Sequence, residues 1–581
     1  MEMRRYIVAA LVAVMSCSAL SAQSLNQTVQ IENTYEVSSK ASRISLPLTV
    51  PDSLRSFDYK FDYQVFETPY KGAFEFSPYR MELTPNASET VDPTRFYLRA
   101  GAGFPVRPEL FAAFCPVSNE TVSLSFRQAL QGYWGQYRTA RTSLTASSPL
   151  MTTKGVRYNG YDIRENFGAD LKWNIGENAA RVNLDYCGLF NEDYKHTSGF
   201  NSVGARVGFG ARERIDNNFY YDFSLYTKFS QDALTLNAID VNPLVERIFG
   251  LSGTVTPRIK DFFGLLVDFD LSYCDYGANG ADYDNSFFAA YVSPKIDLVL
   301  GPVDFTAGVN LSFSPAPYLA PDLCASVKID DKARFYLLYK GGMKVNTYSS
   351  LKLSNQWLFP GMGDSLKHSL EKLNLTAGFS GSVLSRLQYE VSGGYMILED
   401  DPNWGLLISK SSPKDLDAAL VFQSWKGWKA DVKLTWKSER FDADASVAFR
   451  GTDILSGNGT VTGFSAPTKN NYSVAAFDLP LASGNARVVY NWKRKFFVGA
   501  RCEFSTERKL GGFVGEVPVG SLDEELLIQP FIDLGVYAEY RFSDKFSVYV
   551  QGVNLLSESV QKLPLHIENG IGVTGGITLT L

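Results

Sequence analysis

Residues Phe531 to Leu581 read FIDLGVYAEYRF, then SDK, then FSVYVQGVNLL, a polar stretch, and finally GIGVTGGITLTL. In the first run Ile532, Leu534, Val536, Ala538, Tyr540 and Phe542 are apolar, and Asp533, Gly535, Tyr537, Glu539 and Arg541 lie between them. Phe546, Val548 and Val550 repeat the device, as do Ile571, Val573, Ile577, Leu579 and Leu581. A period of two over this length describes a strand with one apolar and one polar face. Long strands of this kind, joined by the three residues Ser543–Lys545, predict an all-β chain built as a large antiparallel transmembrane β-barrel.

The same alternation runs from Arg95 onward. Phe96, Leu98, Ala100 and Ala102 share a face. Leu265, Val267, Phe269, Leu271 and Tyr273 oppose Asp268, Asp270 and Ser272. Trp428, Ala430, Val432, Leu434 and Trp436 oppose Lys429, Asp431, Lys433, Thr435 and Lys437. About 24 strands can be drawn between Arg95 and Leu581, and 22 fits equally well because residues 403–424 divide ambiguously. Short connections (Ile175–Asn178, Lys260–Phe262, Gly301–Pro302, Lys493–Lys495) alternate with long ones (Tyr133–Gly160, Gln231–Glu246, Thr347–Leu370, Glu399–Pro413, Gly451–Leu479, Thr506–Glu525). That is the pattern of periplasmic turns and external loops, with both chain ends in the periplasm.

The short turns set registers. Lys493–Lys495 would place Trp492 opposite Phe496, and Ser543–Lys545 would place Phe542 opposite Phe546. A two-residue turn at Ser438 and Glu439 would place Trp436 opposite Phe441 and Lys433 opposite Asp444. The three aromatic pairs beside turns are candidates for an interfacial girdle. Lumen-facing candidates on the other face are Arg99, Arg127, Asp185, Lys433, Asp444, Arg501, Glu503 and Glu539. Their mixed signs suit a wet or internally bonded lumen rather than a one-sign selectivity filter.

Composition fits this reading. Of 581 residues, 14% are aromatic, with 40 Phe and 31 Tyr, and the net charge of -6 implies no nucleic-acid partner. Mean hydropathy is only -0.11, as alternating strands average out. Residues 1–22 read as an export signal: Arg4 and Arg5, an apolar run Tyr6–Met15, and small residues before a cut between Ala22 and Gln23. Five cysteines would remain (Cys115, Cys187, Cys274, Cys324, Cys502), scattered singly, which predicts neither a disulfide framework nor a metal site. Residues 23–94 carry prolines at 47, 51, 69, 78, 85 and 93, too closely spaced for long elements, and read as an extended periplasmic pre-barrel segment. Their aromatic density, Phe57, Tyr59, Phe61, Tyr63 and Phe66 among others, predicts that part of Phe57–Met81 orders as a partial plug or against the barrel mouth.

The stretches YNWKRKFFVGARCEF and IDLGVYAEYRFSDKFSVYVQGVNLL, with the pre-barrel TYEV, FDY, FSPYRME and YLRAGAGF, resemble TonB-dependent-receptor-like outer-membrane barrels of Bacteroidota. The resemblance spans nearly the whole mature chain and implies a nutrient transporter or channel in the cell outer membrane. Its implied partners are outer-membrane lipid and lipopolysaccharide, the TonB system and other outer-membrane proteins. Two departures stand out: Leu581 replaces the usual terminal aromatic, and residues 23–94 are too few for the family's globular plug, which implies a plug-less relative. Thr28–Ile31 offers only a faint TonB-box likeness. The alternative reading is an accessory or scaffold barrel in an assembly or secretion complex, with a filled lumen.

No catalytic pattern is present: no HExxH, GxSxG or P-loop, and His196, His368 and His566 fall far apart. No cofactor or metal is implied. The acidic runs Glu399-Asp400-Asp401 and Asp523-Glu524-Glu525 are cation-site candidates, more simply read as solvated loop faces.

Overall fold

The computed structural model describes residues 95–581 apart from short stretches, among them 143–150, 359–365, 409–415 and 519–525. The expected signal, the pre-barrel segment and the run Asp523–Glu525 lie outside the described residues. The wall comprises 22 strands. They are β1 Phe96–Phe104, β2 Glu109–Ser118, β3 Val122–Arg138, β4 Arg157–Ile175, β5 Asn178–Glu192 and β6 His196–Ala211. Next come β7 Phe219–Leu236, β8 Ile239–Lys260, β9 Phe263–Ala278, β10 Asp284–Leu300, β11 Val303–Phe313 and β12 Pro317–Asp330. Then follow β13 Ala333–Lys344, β14 Ser369–Val383, β15 Leu387–Ile408, β16 Leu416–Lys437 and β17 Phe441–Ile454. The last are β18 Ala482–Trp492, β19 Phe496–Ser505, β20 Phe531–Ser543, β21 Phe546–Val553 and β22 Gly572–Thr580.

Each strand pairs antiparallel with the next. The sheet closes where β1 meets β22, from Tyr97 opposite Thr580 to Phe104 opposite Val573. Closure leaves no open wall edge, so the backbone groups of the strands are served by neighbouring strands, as a bilayer requires. The alternation read from the sequence sets the faces. On β20 Ile532, Val536 and Tyr540 are exposed, whereas Asp533, Tyr537 and Glu539 are buried. The first and last strands of the wall meet at the short-turn end: the Arg95 amide donates to the Leu581 carbonyl, and the Thr580 amide to the carbonyl of Lys545 in a turn.

The band that suits lipid is short. On β16 it runs from Trp428 to Trp436, the nine to eleven residues a tilted strand needs to cross. Yet β8, β15 and β16 each have 22 residues, about twice that length. The surplus projects from the long-connection end. This corrects the reading of Gln231–Glu246 and Glu399–Pro413 as loops: both are mostly strand, paired in register to Leu236–Ile239 and to Ile408–Leu416. Residues 403–424 are the tops of β15 and β16. Short strands Gly457–Thr462 and Arg508–Val514 extend the sheet there without entering the closed wall.

Two registers decide side-chain placement. Lys493 and Arg494 both take positive φ, and Trp492 stands opposite Phe496. The β16–β17 ladder closes at Lys437 opposite Asp442, leaving four residues between them rather than two, so Trp436 faces Ala443, Phe441 faces Tyr490, and Lys433 faces Ser446 instead of Asp444. Glycines serve close approach where a tyrosine crosses a strand. Tyr226 lies over Gly250, where a Cβ would run into its ring, and donates to Asp270 at 2.7 Å. Tyr336 does the same over Gly378 to reach Glu390 at 2.7 Å.

Candidate functional site: a loop seated in the external mouth

The connection between β13 and β14 does not project outward. The register of β14 slips near Lys372 against both β13 and β15, so the returning leg carries a bulge. Asn310 holds the first leg, its amide donating to the Gly341 carbonyl at 2.5 Å while its oxygen accepts from Tyr291 and Ser293. Between the legs lies the short helix α1, Tyr348–Ser354. Thr347 caps it: its hydroxyl accepts from the Ser350 amide, and the Ser350 hydroxyl accepts from the Thr347 amide.

α1 and the residues after it share one apolar cluster with the upper wall. Tyr348, Leu351, Trp357 and Leu358 meet Leu189, Phe200, Leu244, Ile248, Cys274 and Tyr276 of β5–β9, together with Trp404, Leu420 and Phe422 of β15 and β16. The inward face of β9 shows why the loop sits at this height. Asp268, Asp270 and Ser272 lie below, and Cys274 and Tyr276 above, so the lining turns from polar to apolar where the loop is received.

Within this apolar seat lies a buried polar knot. Lys352 Nζ and Asp232 Oδ2 are 2.8 Å apart, and both side chains are 0% exposed. The ammonium also donates to Ser198 Oγ at 2.9 Å and to the Leu358 carbonyl at 3.0 Å, which uses all three of its protons. Asp232 accepts further from Ser198 and from the Tyr348 hydroxyl. Glu246 accepts from the Tyr276 hydroxyl at 3.0 Å and faces the Ser349 amide at the α1 N-terminus. Burial pushes the Lys352 ammonium below its ordinary range and the Tyr348 hydroxyl well above its own.

The far side of the loop is aromatic. Trp357 stacks on His566 with centroids 3.9 Å apart, and His566 Nδ1 is 3.2 Å from the Tyr158 hydroxyl, whose ring stacks on Tyr137. Arg164 donates to the Leu353 carbonyl at 3.2 Å. At the returning leg the Asn346 amide donates to His368 Nδ1, and burial holds that imidazolium below its usual value, which keeps the nitrogen free to accept.

The lumen candidates divide between two environments. Arg127 is within 3.5 Å of Asp185, and their side chains are 48% and 61% exposed. Lys433 meets Glu390 at 3.7 Å, and Asp444 stands across from Thr435 and Arg487. On the wall near the seam, by contrast, Arg99 is buried, 2.7 Å from Glu109 and 3.8 Å above the Tyr549 ring. Arg501 bridges Glu503 and Asp533, Glu503 meets Lys562 at 2.6 Å, and Glu539 accepts from Ser547 and Tyr537. Of the girdle candidates, Phe546 stands opposite Ser543 rather than Phe542, because a bulge between Arg541 and Ser543 takes Phe542 out of the ladder, although the two rings still lie 5.8 Å apart; Trp492 is exposed. In the acidic run, Glu399 pairs with Lys372, Asp400 with Lys367, and Asp401 accepts from Trp425 and Asn403, so protein groups already serve these carboxylates. Among the described residues no cluster has the make-up of a metal site.

Sequence reasoning missed α1 and the knot, because residues 347–370 read as a polar loop. The usable signals were the Thr347-x-x-Ser350 cap and the apolar density of Leu351, Leu353, Trp357 and Leu358.

No protein-family model and no curated protein sequence matches the chain. Solved structures do. The ferric enterobactin receptor PfeA of Pseudomonas aeruginosa (a mutant) is 10% identical with a TM-score of 0.57, covering 84% of this chain and 80% of its own. The shared fold is a large closed β-barrel. An FrpB iron transporter of Neisseria meningitidis has a TM-score of 0.60 at 9% identity, over 84% of this chain and 83% of its own. The copper transporter OprC has a TM-score of 0.60 at 11% identity, over 84% and 82%. At these identities the likeness is one of fold: a receptor and two transporters share the closed barrel described above.

Proposed function

We propose that the protein is an outer-membrane uptake barrel, a receptor-like transporter or channel for a nutrient solute, whose external mouth is closed at rest by α1 and the residues up to Leu358. The observation that carries this reading is the loop seated across the mouth of a 22-stranded closed wall. A wall of that size encloses a leak unless it is filled. The fold shared with PfeA, FrpB and OprC supports the transport class; their iron and copper cargoes do not by themselves define this one. On this reading residues 1–22 direct export. Residues 23–94 act as a short periplasmic pre-barrel segment, with Thr28–Ile31 the place to look for TonB engagement. The aromatics Trp436, Phe441, Trp492, Phe496, Phe542 and Phe546 anchor the periplasmic interface. Lipid and lipopolysaccharide surround the band.

A filled mouth is also what a non-transporting accessory barrel would have, and one experiment separates the two. Residues 346–367 are replaced by a short Gly-Ser linker and the barrel is reconstituted in planar bilayers. A transporter gated by this loop shows large, stable conductance after excision. An accessory barrel with a lumen filled elsewhere stays silent.

A further inference from the structure

We propose that Lys352 and Asp232 form the latch of a two-state gate, with the bulge at Lys372 on β14 as its pivot; the proposal rests on the transport reading above. The buried pair is not needed to hold the loop tightly. Well-packed apolar side chains of similar volume commonly serve at least as well as a buried ion pair, because both charges must shed their water. What the pair adds is a favourable alternative state. When the loop withdraws, Lys352 and Asp232 recover hydration, which offsets part of the lost apolar contact. An all-apolar plug would gain nothing on leaving.

The closed state is also fixed in one position. All three ammonium protons are used, by Asp232, Ser198 and Leu358, and Asp232 is bound in turn by Ser198 and Tyr348. A shift by one residue would strand the charge in an apolar seat. The returning leg is suited to movement. Lys372 is an extra residue on β14 that shifts its ladder against both β13 and β15, and α1 is held to the wall by side chains rather than by continuing the ladder.

The test is single-channel recording of the full-length protein with four variants, each first shown to be inserted by heat-modifiable electrophoretic mobility. Lys352→Ala and Asp232→Asn each leave one buried partner unmatched and should raise the open-to-closed ratio by on the order of a hundred-fold. The double variant Lys352→Met with Asp232→Leu restores an apolar seat without charge and should open less often than wild type. n-Propylamine, which rebuilds the missing ammonium, should re-close Lys352→Ala and leave Asp232→Asn unaffected. Wild-type gating in both single variants, or a double variant as open as the singles, overturns the latch. If the loop-excised barrel conducts while the latch variants behave as wild type, only the latch falls. If the excised barrel is silent, the transport reading itself falls.

Discussion

The two halves of β16 obey different rules. From Trp436 to Trp428 its even-numbered residues form the outer face: Leu434 and Trp428 are exposed, and the odd-numbered Lys433 and Lys429 pair on the lumen side with Glu390 and Asn374. Beyond Trp428 the same even positions, Phe422 and Leu420, are 0% exposed and belong to the cluster that seats the loop. There the odd-numbered Gln423 and Trp425 are buried as well, so both faces of the strand are covered. In the band, lipid selects the apolar face. Above the band, protein covers both faces, so an apolar side chain is buried in protein. Periodicity alone reports that two faces differ, and the surroundings decide which one is sheltered.

That contrast can be broken at graded cost. The largest effect belongs to the seat of the loop. Phe200→Ala removes a fully buried ring beside Tyr348 and should destabilise the closed protein by about 3–5 kcal/mol, read from the urea midpoint in detergent or lipid. Loss of under 1 kcal/mol would mean that the upper half is not a packed core. Next comes the lipid face: Leu434→Arg should cost about 2–4 kcal/mol near the midplane. Its neighbour Lys433→Ala, which breaks a partly wet pair, should cost about 0–1 kcal/mol. Equal tolerance of these two adjacent changes would contradict the face assignment on which the whole barrel rests.

The sequence made the lower half legible for a physical reason. Lipid demands apolar side chains at every second position, so Ile532 to Phe542 and Trp428 to Trp436 announce strand, face and band together. Short turns were nearly as clear, because Lys493–Lys495 lies between two aromatics that pair across it. The turn after β16 shows the limit. Two additional residues left out of this ladder, Arg440 and Phe441, move every partner along by two, so Lys433 meets Ser446 rather than Asp444 while keeping its face. The external half was harder to read. Strands there outrun the bilayer, so Glu399–Pro413 carries no lipid signal although most of it is strand. The loop of α1 was disguised by its polar residues. Thr347, Ser349, Ser350 and Lys352 read as solvent-facing, yet they cap the helix or bond within the seat. A buried Lys352 is detectable only once the fold places Asp232, more than a hundred residues earlier, beside it.

The account's central claim is that residues 345–358, with α1, arise at the external end but sit in the mouth. It is tested most directly by labelling intact cells with an impermeant thiol reagent. Single cysteines are placed at Asn458, in the external connection after β17, and at Ser349, which is fully buried in α1. The account predicts prompt labelling at Asn458. At Ser349 it predicts labelling at least about ten-fold slower, becoming prompt when Lys352→Ala is added. Labelling of Asn458 only after the outer membrane is disrupted would reverse the topology. Equally fast labelling at both sites in the otherwise native protein would show that the loop does not occupy the mouth.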